Sequence, residues 1–171
     1  MTASQRKSNM AKSIQEALQN IDMTYDNVID IANDIIKDVS EEVDGYIQKA
    51  YDNIENLSND AIRDILLRLS LSSYSFSEIK EKSAFKAELA ETLRKEAYAT
   101  EMNGAVGTVA QKEATAVLNT SAETVAEAIY DLVASMSKSK IDEIHRVVDT
   151  LKTILTSRLT EAKLNSAVGI D

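Results

Sequence analysis

The segment Ile21–Val39, IDMTYDNVIDIANDIIKDV, decides the fold class. Its apolar residues Ile21, Tyr25, Val28, Ala32, Ile35 and Val39 are spaced 4-3-4-3-4, the heptad rhythm of a helix that buries one stripe against other helices. Between them Asp22, Asp26, Asp30, Asp34 and Asp38 recur every four residues, so on a helix they form a slowly winding acidic ridge. The apolar seam continues through Val43, Ile47, Ala50, Ile54 and Leu57. Two successive steps of four, at 39–43 and 43–47, make a stutter, and Gly45 at that break is a natural point of interruption. A helical segment from about Ser13 to Leu57 is expected.

Composition narrows the rest. The 171 residues include no Pro, no Cys, no Trp, four Gly and one His. Without Cys there is no disulfide framework, no structural zinc site of the usual kind, no thiol catalysis and no iron–sulfur centre. Four scattered glycines do not build a phosphate-binding loop. Hydrophobic content of 44% is enough for a core, and 5% aromatics leaves Ala, Ile, Leu and Val to pack it. The longest aliphatic run, Ile65-Leu66-Leu67, is far too short to cross a bilayer. Met1–Ser13 carries Arg6, Lys7 and Lys12 without an apolar stretch, unlike a secretory signal. The expectation is a cytoplasmic protein with no membrane, metal or cofactor.

Further helices follow from the same rhythm. Ser58-Asn59-Asp60 is a cap cluster ahead of Ile62, Ile65, Leu66 and Leu69. Ser70–Ser77, with five serines in eight residues, reads as a connector. Ser75 and Glu78 have capping-box spacing and open a segment over about 76–102, which Asn103-Gly104 stops. Thr108 and Gln111 form a second box, starting a helix with the seam Leu118, Ala122, Val125, Ile129, Leu132 and Met136. Ser137–Lys140 is either a turn or mid-helix. The last helix, about 140–164, places Ile141, Ile144, Val148, Leu151, Leu155 and Ala162 on one arc. The organisation expected is an acidic helical segment 1–70, a connector 71–77, a helical hairpin or bundle 78–165 and a loose tail 166–171. The fold class is all-α, an elongated helical bundle with coiled-coil seams that favour self-association.

Charge is uneven. Residues 1–60 hold five basic and twelve acidic side chains out of a net −9 for the chain. The Asp22–Asp38 ridge suits a basic protein partner, a divalent-cation face or a nucleic-acid mimic; the solvated side of an amphipathic helix explains the same pattern. On the last helix Lys138, His145, Lys152 and Lys163 fall within roughly 40° of one another, with Arg146 facing outward and Lys140 and Arg158 on the opposite margin. Such a basic edge can bind phosphate backbone, or lie over the seam and pair with neighbouring carboxylates. No catalytic constellation emerges. Nucleophile, base and orienting group around His145 would share one helix face with no oxyanion hole, and a single Asp142-x-x-His145 cannot make a two-metal site. The tyrosines and phenylalanines are spread along the chain and read mainly as packing residues.

From Phe76 to Lys163 the layout has a known likeness. A charged helix, Glu78-Ile79-Lys80 through Ala97-Tyr98, leads to Gly104-Ala105-Val106-Gly107-Thr108 and a capped helix ending near Met136, then to Ile141-Asp142-Glu143-Ile144-His145 through Arg158-Leu159. This resembles the small all-helical recombination and replication proteins of tailed phages, and is similar in layout to the recombination mediators of T-even-type phages. The resemblance implies a non-enzymatic, ring-forming homo-oligomer that binds single-stranded DNA and helps load a recombinase. On that reading the basic edge of the last helix, Lys138, His145, Arg146, Lys152 and Lys163, is expected to contact DNA, and the acidic ridge Asp22, Asp26, Asp30, Asp34 and Asp38 a protein partner. Two other classes fit the same helices: a virion or scaffold component, and an acidic inhibitor that mimics DNA.

Overall fold

The computed structural model of the chain describes residues 25–168. Four helices make it all-α: α1 (Tyr25–Asn53), α2 (Asn59–Gly104), α3 (Val109–Asn119) and α4 (Ser121–Val168), with no strand among the described residues. Ile21, Asp22 and the expected helix start near Ser13 lie outside the described residues.

In α1 the buried positions are Ala32, Ile36, Val39, Val43, Ile47 and Ala50. The two steps of four at 39–43–47 are the stutter, and the helix runs through it unbroken. Gly45 is exposed, and a Cβ there would meet nothing within 4 Å. Its helix-breaking cost of about 1 kcal/mol is offset by the burial of Val43 and Ile47 on either side, each contributing about 1.5–3 kcal/mol.

Ser58 starts α2 as its cap, accepting a hydrogen bond from the Ala61 N–H at 3.1 Å. The buried residues Ile62, Ile65, Leu69, Ser72 and Phe76 follow in steps of 3-4-3-4, then Ser83, Ala87 and Ala90. The connector expected over 71–77 is therefore helix interior. Low local preference of serine for helix is outweighed by the burial of Phe76, which has no exposed surface, and Ser72 is small enough to sit in the seam. Ser70 resolves its own competition with the backbone by donating to the Leu66 carbonyl at 2.7 Å.

Helix α2 stops at Gly104, where the sequence places a stop, yet the left-handed residue is Gly107, at φ 132°. A Cβ on Gly107 would lie 2.7 Å from the Gln111 Oε1. That same Gln111 side chain accepts from the Thr108 N–H at 3.0 Å and closes the Thr108–Gln111 capping box of α3. The single helix expected from Thr108 to Met136 is broken at Thr120. Leu118, expected in the seam, is 68% exposed; Ala116 and Thr120 are buried instead. The Thr120 hydroxyl donates to the Ala116 carbonyl at 2.9 Å, and three cap-type residues, Asn119-Thr120-Ser121, mark the break. Ser137–Lys140 is mid-helix, with Ser137 buried in the seam between Val133 and Ile144. The helix extends to Val168, so residues 166–168 of the expected loose tail are helical.

The helices divide into two compact units, residues 25–37 with 79–136 and residues 38–78 with 137–168. In the first, α2 and α4 run antiparallel: Lys86 lies over the Tyr130 ring at 5.0 Å, Arg94 donates to Glu127 at 2.8 Å, and Asn119 donates to Glu101 at 2.9 Å. Burial, with the nearby Lys82 charge, lowers the Lys86 pKa, and burial raises that of Tyr130. In the second, α1 and α4 run parallel, Lys140 pairing with Asp44 and Arg158 reaching the chain at 54–57.

Two substitutions test these assignments. Gly45→Ala raises stability by about 0.5–1 kcal/mol, read as a higher urea midpoint with unchanged slope. Phe76→Ala lowers it by about 3–5 kcal/mol in the same titration; a loss below 1 kcal/mol would return residues 71–77 to a connector.

Candidate nucleic-acid interface

The site begins with α4 and its spacing. Ile144, Val147, Val148 and Leu151 fix the inward face, so residues about 100° away are held at its margins. On one margin stand Lys138, His145, Lys152 and Lys163, all exposed, with Arg146 exposed farther round. Neither Lys138 nor Lys163 forms an ion pair among the described residues. The Lys152 ammonium approaches Asp149 only at 4.0 Å, and Arg146 donates to the Asp142 carbonyl at 3.3 Å. His145 lies 3.5 Å from the Ser73 hydroxyl, placing this margin beside the 59–78 stretch of α2.

The cations on the inward side of α4 are spent internally. Lys140 donates to Asp44 at 2.7 Å and to Glu143 at 2.8 Å. Burial works to lower its pKa, but hydrogen bonds and charge from Asp44 and Glu143 outweigh burial and raise it above the ordinary 10.5. Arg158 donates to the carbonyls of Ile54 at 2.9 Å, Glu55 at 3.0 Å and Leu57. These are chain groups just past the end of α1 that have no helical partner, and a cation there also suits the helix dipole. Sequence reading placed Lys140 and Arg158 on an edge of the apolar arc; the structure sets them among the inward positions of α4, where they staple α1 to α4.

The acidic residues behave as a surface. Asp26, Asp30, Asp34 and Asp38 are exposed on α1, on the side away from Ala32, Ile36, Val39 and Val43; Asp22 lies outside the described residues. Among the described residues no group of three or more His, Asp or Glu side chains could hold a metal ion. No helix described is long and apolar enough to cross a membrane.

One residue acquires interest that the sequence did not give it. Tyr74 is 76% exposed and follows Ser73, so an aromatic ring stands one residue from the α2–α4 contact at His145. Its place in an apparent connector hid it; helical numbering across 70–77 would have revealed it. Phe85 and Tyr51 are also largely exposed, whereas Phe76 is core, so the aromatic residues are not all packing residues. Comparison with protein-family models, with curated proteins and with solved structures finds no match.

The Lys140 cluster makes a pH prediction. A folded pKa above the unfolded value means its stabilisation is complete below about 10.5 and is lost as pH rises through the folded value. The stability difference between the wild type and Lys140→Met is therefore constant from neutral pH to about pH 10 and narrows above it, measured by denaturant titration across that range. A difference independent of alkaline pH would show that Lys140 acts through packing alone.

Proposed function

We propose that the chain is a non-enzymatic, self-assembling helical accessory protein of the recombination-mediator type, binding single-stranded DNA along the Lys138–Lys163 margin of α4. The observation that carries this reading is the asymmetry of α4. The inward side commits its cations to Asp44, Glu143 and backbone carbonyls, while one margin presents Lys138, Lys152 and Lys163 to solvent. Phosphates would replace released counterions along that margin, and the exposed Tyr74 offers a base a stacking surface. The acidic α1 face, Asp26 to Asp38, repels nucleic acid and suits a basic surface on a recombinase.

A second reading draws on the same α1 face. Four exposed carboxylates recurring every four residues can act as a phosphate mimic that occupies the DNA site of another protein. In that case the chain binds a basic protein and no oligonucleotide.

Fluorescence anisotropy with a labelled single-stranded oligonucleotide separates them. The mediator reading requires binding at low salt that falls by about tenfold or more at moderate salt. Replacing Lys138, Lys152 and Lys163 together by Glu abolishes it without changing helicity or assembly state. Binding retained by that triple variant removes these residues from the interface, and a wild type inert at every salt removes DNA from the function.

A further inference from the structure

We infer that α2 carries a self-complementary strip, Phe85, Leu89 and Leu93 between Lys82 and Glu96, on which a second copy of the chain pairs antiparallel about a dyad at Leu89. The inference deepens the self-assembly part of the proposed function and needs no nucleic acid.

The strip is anomalous for a helix whose inner face is already occupied. Ser83, Ala87 and Ala90 fill that inner face, yet Phe85 is 66% exposed and Leu89 and Leu93 are each 48% exposed. At about 100° per residue, Lys82, Phe85, Leu89, Leu93 and Glu96 lie within roughly 80° of one another, turned away from the buried seam. Helix α2 is thus apolar on two faces over this stretch. Large side chains grouped in that way on one solvent face mark an interaction surface.

Spacing and charge identify what covers it. The five positions are separated by 3, 4, 4 and 3 residues, a palindrome centred on Leu89. In an antiparallel pair with its twofold axis at Leu89, Leu89 meets Leu89 of the second copy, and Phe85 meets Leu93. The ends differ in sign, so Lys82 of each copy faces Glu96 of the other. A parallel, in-register pair would instead oppose Lys82 to Lys82 and Glu96 to Glu96. The charges therefore select both the partner, a copy of the same chain, and its direction. The pairing does not depend on which contacts Lys82 keeps within its own chain. Glu81 and Glu88 line one margin of the strip and moderate its affinity. Three apolar residues per copy make a small interface, which associates reversibly with concentration.

Sedimentation equilibrium on the full chain, from about 10 to 500 μM, tests the inference. The wild type shows a mass rising from the 18.8 kDa chain toward twice that value. Leu89→Glu stays at the monomer mass with unchanged circular dichroism, as expected for a half-exposed position. Lys82→Glu weakens the dimer at least fivefold, and Lys82→Glu with Glu96→Lys restores it. Because the chain has no cysteine, Leu89→Cys gives a disulfide-linked dimer on mild oxidation, while Thr160→Cys does not. A wild type monomeric throughout the range would overturn both the strip and the self-assembly reading. A wild type whose assembly survives Leu89→Glu, or a double charge variant that fails to recover, would overturn the strip and leave self-assembly standing on another surface.

Discussion

Phe76 sits in a run of serines and has no solvent-exposed surface. Its burial holds residues 70–77 in helix, and with them it makes α2 one element of 46 residues. Because it is helical, both compact units draw on the same long helix, and each combines residues from distant parts of the chain. Burying that ring contributes about 1.5–3 kcal/mol, on the order of the summed helix cost of the serines around it.

Polar groups inside the seams are handled in two ways. Lys140 is a seam position by spacing, and its ammonium is kept charged by Asp44 from α1 and Glu143 one turn on. Arg158 occupies a similar place farther along α4 and gives its guanidinium to carbonyls at the α1–α2 turn. Ser83 and Ser137 are different: each is fully buried and its hydroxyl has no hydrogen-bond partner. Their small size permits close helix approach, at the cost of a desolvated hydroxyl. Thr120, buried as well, avoids this cost by donating to the Ala116 carbonyl one turn back.

The charge distribution follows from these commitments. The seams consume Lys140 and Arg158, Lys138, Lys152 and Lys163 stay exposed, and residues 1–60 hold twelve acidic against five basic side chains. A protein with a net charge of −9 can still offer a locally basic strip, because screening confines the field of each surface to about 10 Å at ordinary salt.

Local pattern alone established the all-α class, a cap within Ser58–Asp60, the Thr108–Gln111 box, the stop at Gly104 and the outward side of Asp26, Asp30, Asp34 and Asp38. These are local properties, set by spacing on a 3.6-residue helix and by hydrogen bonds within one turn. Tertiary structure decided the rest: that Phe76 is core, that Thr120 breaks a helix whose apolar spacing runs straight past it, and that Ser137–Lys140 continues one. Spacing does not say which stripe finds a partner. Leu89 and Ile129 both belong to helical stripes, and only packing left the first half in water while burying the second completely.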